Sequence, residues 1–296
     1  MKWHTRGRFP DVGISVGHEL KSGTLPLIPY LWKWKEIESS NLWILNGLRL
    51  KNHTSCSQQQ SLLPSSAAIM SGSEIVILLI GPTGSGKTSF IRHATGLNVD
   101  SSSTTSCSVY RPTTPIGPQN FLIIDTPGLD DLAAENLGVL KEIAQTLSKL
   151  APRTVGGAIF FHRILDGRFS GSARSHLDIF KQICGTDFGD QAVFVTTMWN
   201  LTDPKQVEKY NTIHEELKKS YFFLSPNSKP VFKFGNDAAK AKEVLKHFIN
   251  PKLKRDKTLL LDREVKRFGA SLSGVRKTSA GKEIMKSANR KACVIL

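Results

Sequence analysis

The stretch EIVILLIGPTGSGKTSFIRHATG, from Glu74 to Gly96, decides how the chain is read. Its opening residues, Glu74 to Ile80, are apolar on both faces after the glutamate and rich in β-branched side chains, the pattern of a parallel strand buried on both sides. Gly81, Pro82, Thr83, Gly84, Ser85, Gly86, Lys87 and Thr88 then satisfy the spacing G-x-x-x-x-G-K-[ST], with Ser89 next in the expected helix over about 87–95. The chemistry requires these residue types. Glycines let successive backbone N–H groups curl around a phosphate, the helix N-terminus adds its positive dipole end, and Lys87 reaches the β/γ oxygens. Thr88 then ligates Mg²⁺. Without a ligand the same glycines make only a tight strand-to-helix turn, but strand, turn and helix all fall where the phosphate-binding pattern needs them.

A second apolar strand, in NFLIIDTPGLDD, ends on Asp125 and continues through Thr126, Pro127 and Gly128. A carboxylate at the end of such a strand, facing the first turn, holds Mg²⁺ through water, and Gly128 offers its N–H to a terminal phosphate. D-x-P-G is also a common turn composition. About 40 residues after a phosphate-binding turn, the site reading is favoured. Between the two, SSSTTSCSVYRP supplies Thr104 and Thr105 as candidates for a switch threonine, and Thr105 is the one expected to meet the metal and the phosphate. Lys87 and Thr105 are thus the residues expected to act on the reacting phosphates.

Downstream the pattern alternates between strands and helices as far as about residue 249, which predicts an α/β fold, a mostly parallel central sheet with helices on both faces. Ligands of such sheets sit at the carboxyl ends of the strands, where the glycine-rich turn lies. GPTGSGKT with DTPG resembles the first and third motifs of the P-loop GTPases, the G domains. GAIFFHRILDGRFSGSA, FVTTMWN and the late KTSAGKEI resemble more narrowly the fungal G-domain proteins of the septin and immunity-associated AIG-type group. The resemblance runs from about Glu74 to Met285 and implies GTP and Mg²⁺ as ligands, nucleotide contacts from Gly81 through Ser89, Asp125, Gly128, Thr197 and Asn200, and a homodimer through the G domain. It implies a regulatory switch whose product is a conformation.

Departures from the GTPase pattern shape the expected activity. Leu129 follows Gly128 where Ras-like members carry a water-positioning glutamine, so hydrolysis is expected to be slow. The base-reading motif [NT]-K-x-D stands as Thr197, Met198, Trp199 and Asn200. An aspartate accepts two hydrogen bonds from guanine, whereas Asn200 offers one acceptor and one donor, which weakens guanine selectivity; Asp203 is the nearest replacement carboxylate. Trp199 either stacks on the base or packs beneath the loop. His162, Arg163 and Arg168 end the central strand within reach of phosphate or a partner protomer, or simply form a surface loop. Two rival functions, an ATP-dependent P-loop enzyme and a nucleotide-binding fold used only for protein contacts, stay open. The first lacks an arginine-rich lid, and the second sits poorly with an intact turn and Asp125.

Residues 1–70 carry four of the five tryptophans without a clear period and are expected to be disordered or loosely attached; residues 71–250 form the G domain, and 251–296 a basic, partly helical tail. From Lys240 to Leu296 there are 16 Lys/Arg against 5 Asp/Glu, so 11 of the 15 surplus positive charges lie there. That excess suits anionic lipid, nucleic acid or a solvated helix face. With no interleaved aromatics, nucleic acid is not expected. The closing CVIL places Cys293 in a C-a-a-X pattern, the expected lipidation site, and Gly274 and Gly281 suggest that the tail extends flexibly as a membrane tether. Four cysteines without metal or disulfide spacing, and no apolar run near the roughly 18 residues of a membrane span, point to the cytoplasm or the cytosolic face of a membrane.

Overall fold

The computed structural model describes residues 74–100, 104–167, 171–221, 231–251, 253 and 256–294. The segment 1–70 and Arg168 lie outside the described residues, as does the side chain of Cys293. In chain order the elements are β1 (Ile75–Ile80), α1 (Lys87–Thr95), β2 (Ser108–Tyr110), β3 (Phe121–Asp125), α2 (Ala133–Leu150) and β4 (Val155–Arg163). There follow α3 (Gly171–Cys184), β5 (Ala192–Thr197), α4 (Val207–Tyr221), β6 (Val231–Lys233) and α5 (Ala238–His247). Three further helices close the chain: α6 (Leu260–Phe268), α7 (Leu272–Lys277) and α8 (Ser279–Val294).

Every residue of β1 is buried, and the strand sits inside a six-stranded sheet of order β2-β3-β1-β4-β5-β6. All pairings are parallel except β2 with β3. Alternation along β1 splits the core in two. Val76, Leu78 and Ile80 face α2, α3 and Leu217 of α4, while Ile75, Ile77 and Leu79 face α1 and α5. A strand covered on both sides cannot afford a polar face, which is why its sequence is a continuous apolar run.

Two local features reflect their residues. Helix α4 is preceded by a short 3₁₀ turn, Pro204–Gln206, which Asp203 caps by accepting from the Lys205 N–H at 2.9 Å. Helix α1 stops at Gly96, whose φ of 74° lets its N–H return to the Arg92 carbonyl at 3.0 Å.

The tail does not extend from the domain. Leu259, Leu261, Val265, Val275, Ala280 and Ile284 are buried in the core cluster that also holds α2 and α3. Gly274 and Gly281, expected to loosen the segment, do the reverse. A Cβ on Gly281 would lie 2.0 Å from the Val275 carbonyl oxygen, and one on Gly274 would lie 2.3 Å from that of Gly269, so both glycines permit close backbone approach. Helix α8 is then held by Glu264, which accepts from the Ser279 N–H at 2.9 Å and its hydroxyl at 2.7 Å.

Candidate nucleotide-binding site

The turn between β1 and α1 is shaped by what surrounds it. A Cβ on Gly81 would fall 2.7 Å from the Phe161 carbonyl oxygen and 2.8 Å from Ser85 Oγ. Gly86, at the helix N-cap, has φ 90°, a left-handed conformation that a side chain disfavours. Thr83 and Gly84 lie exposed on the outer curve, while Ser85 is fully buried. Lys87 is 6 % exposed, and its ammonium donates to the carbonyls of Gly81 at 3.0 Å and Pro82 at 3.1 Å. Burial pushes the ammonium down to about 8, with Asp125 and Asp130 acting in the opposite direction. The turn therefore holds a lysine whose charge is short of anionic partners.

Beside it, Thr88 donates its hydroxyl to Asp125 Oδ2 at 2.9 Å. Burial raises the Asp125 carboxyl above its ordinary range, opposed by the hydroxyls of Thr88 and Thr104 and by the charge of Lys87. Its second oxygen, Oδ1, is buried with no hydrogen-bond partner. An orphaned carboxylate oxygen next to a hydroxyl and a buried ammonium fits a hydrated divalent cation carrying phosphate oxygens. Of the two candidate threonines, the one that reaches this pair is Thr104, whose hydroxyl lies 3.3 Å from Asp125 Oδ2 and 3.4 Å from Thr88 Oγ1. Thr105, the residue expected from sequence, is exposed. Two adjacent threonines are indistinguishable by type, and only the direction of the backbone entering β2 decides which one turns inward.

The segment after Asp125 lies directly on the turn. Thr126 anchors it by donating to the Leu79 carbonyl at 2.7 Å. Leu129 donates its N–H to the Gly81 carbonyl at 3.0 Å and accepts from the Thr83 N–H at 3.4 Å. Gly128 is pressed so near Thr83 that a Cβ would come within 2.1 Å of its hydroxyl oxygen and 2.4 Å of its Cα. The Leu129 carbonyl thus occupies the Thr83 N–H of the turn. Asp130 is gripped in turn by Asn136, which accepts from its N–H at 2.9 Å and donates to its carbonyl at 2.7 Å, and by His176 at 3.0 Å.

On the far side, Thr197 donates to the Ser85 carbonyl at 2.9 Å, tying the base-side loop to the turn. Asn200 is exposed, and its backbone N lies 3.5 Å from where a Cβ on Gly235 would sit. Trp199 packs beneath this loop. Its indole N–H donates to Thr196 Oγ1 at 2.9 Å, its ring meets His214 edge-on at 5.6 Å, and the Lys233 ammonium sits 4.4 Å from the ring centre. Asp203 is used in capping its 3₁₀ turn. Asn236, which is not among the residues expected at the site, accepts from the Ser89 hydroxyl at 2.8 Å and has φ 60°. An asparagine after glycine at the end of the last strand was the available signal, since asparagine tolerates this conformation.

Of the three residues expected past the central strand, His162 is buried, its ring Nε2 3.0 Å from the Gly167 carbonyl oxygen. Arg163 pairs with Asp166 at 2.8 Å and places Nη1 3.7 Å from the Cβ position of Gly84, against the rim of the turn.

Sheet order, glycine-rich turn and the Asp125 strand end together define a P-loop GTPase G-domain fold. The family described as 50S ribosome-binding GTPase matches residues 76–156. A dimerization-deficient arginine-to-alanine mutant of Toc33 from Arabidopsis thaliana is similar with a TM-score of 0.50 and 19% identity, over 63% of this chain and 87% of that one. Toc33 in complex with Mg²⁺ and GMPPNP is similar with a TM-score of 0.50 and 20% identity, over 62% of this chain and 87% of that one. No curated protein matches the sequence.

Proposed function

We propose that the chain is a GTP- and Mg²⁺-binding regulatory switch that hydrolyses slowly. The observation that carries the reading is the cradle made by Lys87, Thr88 and Asp125: a buried ammonium, a hydroxyl and a carboxylate with one orphaned oxygen, at the N-terminus of α1. When bound, Mg²⁺ would be held by Thr88 and, through water, by Asp125, and would neutralise phosphate charge. Lys87 binds the β/γ oxygens, Gly128 and the Thr83 N–H meet the terminal phosphate, and Leu129 must release that N–H as they do so. This exchange gives the two conformations that a switch needs. Buried Leu129 has no group with which to orient water, which supports slow turnover.

The motifs from Gly157 to Ala173 and at Thr197–Asn200 support the septin and AIG-type branch. The description of a Toc33 mutant as dimerization deficient supports a homodimer, which we assign to the P-loop face bearing Arg163. A cytosolic setting suits its cysteines.

Equilibrium titration with fluorescent GTP, in Mg²⁺ and in EDTA, tests the central reading. Micromolar or tighter binding that weakens in EDTA is expected, and Asp125→Asn is expected to abolish the Mg²⁺ dependence while retaining a folded chain. Binding that is indifferent to both changes would sink it. Base selectivity gives a separate expectation. Asn200→Asp restores a second acceptor for guanine, and a hydrogen bond to a charged group is worth about 1.5–3 kcal/mol, so the GTP/ATP preference is expected to rise roughly ten- to a hundredfold. Competition assays read it; an unaltered ratio assigns base reading to backbone groups near Gly235.

A further inference from the structure

We propose that the outward row of α8, together with the end of α7, is a docking surface for an anionic lipid bilayer. Helix α8 seats Ala280, Gly281 and Ile284 inward, all buried. Lys282, Met285, Lys286 and Asn289 are exposed on the other side, at the i, i+3, i+4 and i+7 spacing of one helical row. Arg276 and Lys277 are exposed at the end of α7. Each of α3, α4, α5 and α6 carries an ion pair three or four residues apart, whereas α7 and α8 together hold Arg276, Lys277, Lys282, Lys286, Arg290 and Lys291 against one carboxylate, Glu283. Glu283 is half-buried, so the exposed face of these two helices carries a positive surplus.

The apolar members choose between polyanions. Leu272 and Met285 are 41% and 42% exposed on these two helices. Flexible aliphatic side chains among cations suit the headgroup boundary of a bilayer. Stacking on nucleic-acid bases calls for aromatic side chains, and residues 271–294 contain none. Because Glu264 and the buried face fix α8 to the domain, the surface is rigid, in place of the flexible tether expected from sequence. It depends neither on nucleotide binding nor on modification of Cys293.

The test uses the full chain made in bacteria, without lipid modification, sedimented with vesicles of phosphatidylcholine alone or mixed with phosphatidylserine. Binding is expected only to the mixed vesicles, falling with added salt. Each surface lysine contributes roughly fivefold to partitioning, so Lys282→Gln with Lys286→Gln is expected to lose roughly 25-fold. Lys242→Gln with Lys246→Gln, on α5 across the sheet, is the matched control and should bind like the parent. The proposal is overturned if the parent ignores phosphatidylserine, if both double variants weaken equally, or if lysine-dependent binding is found for RNA and not for vesicles. Thermal melting and GTP titration on the same samples separate this outcome from misfolding and from failure of the nucleotide reading.

Discussion

Lys87→Met is expected to weaken nucleotide binding by roughly thirtyfold or more while leaving the empty protein as stable as its parent, or more so. Truncating one partner of a close, desolvated charge pair costs about 2–5 kcal/mol, a weakening of roughly thirtyfold to several thousandfold. The empty site loses little in exchange, because burial already holds this ammonium down to about 8 from 10.5. The sign follows from proton counting. Between pH 8 and 10.5 the unfolded chain binds more protons than the folded one, so stability from this group rises with pH across that window. Below it, burying the charge costs roughly 3 kcal/mol, at about 1.4 kcal/mol for each tenfold change in proton affinity. Bound phosphate supplies the missing anion and favours the protonated form, so affinity in the parent should fall as pH rises through about 8. Titration at several pH values, with thermal melts of both proteins, checks each part. Unchanged affinity in Lys87→Met removes the phosphate assignment.

What the sequence made legible follows from what its residues must do. A strand buried on both faces has to be apolar throughout, so β1 and β3 announce themselves, and the glycines of the turn are required by backbone positions that no other residue fits. The helix expected over about 87–95 coincides with α1 because it begins at the glycine-rich turn and ends at Gly96. Choices made by orientation were hidden. Nothing local distinguishes Thr104 from Thr105, and Trp199 is committed to Thr196, His214 and Lys233, partners up to 34 residues away.

The tail was misread for a different reason. Its apolar positions are few and are diluted by lysines, so they look like a solvated surface, and its glycines look like hinges. In the structure those few positions fall in register on a face already built by α2 and α3. A chain ended at Asn250 is therefore expected to lose cooperative folding. It strips away Leu259, Leu261, Val265, Val275 and Ile284, each fully or almost fully buried. At roughly 1.5–3 kcal/mol per side chain, the loss is comparable to the whole stability of an ordinary domain, about 5–15 kcal/mol. A flexible tail predicts the contrary, an unchanged melting temperature. Because a truncated chain can fail for trivial reasons, Ile284→Ala in the full chain supplies the graded version. A buried isoleucine cut to alanine costs about 2–5 kcal/mol, and at roughly 2–4 °C per kcal/mol for a chain of this size the melt should fall by about 5–15 °C. If both the truncated chain and Ile284→Ala melt like the parent, the helices after residue 250 are an appendage, and the rigid surface assigned to α8 goes with them.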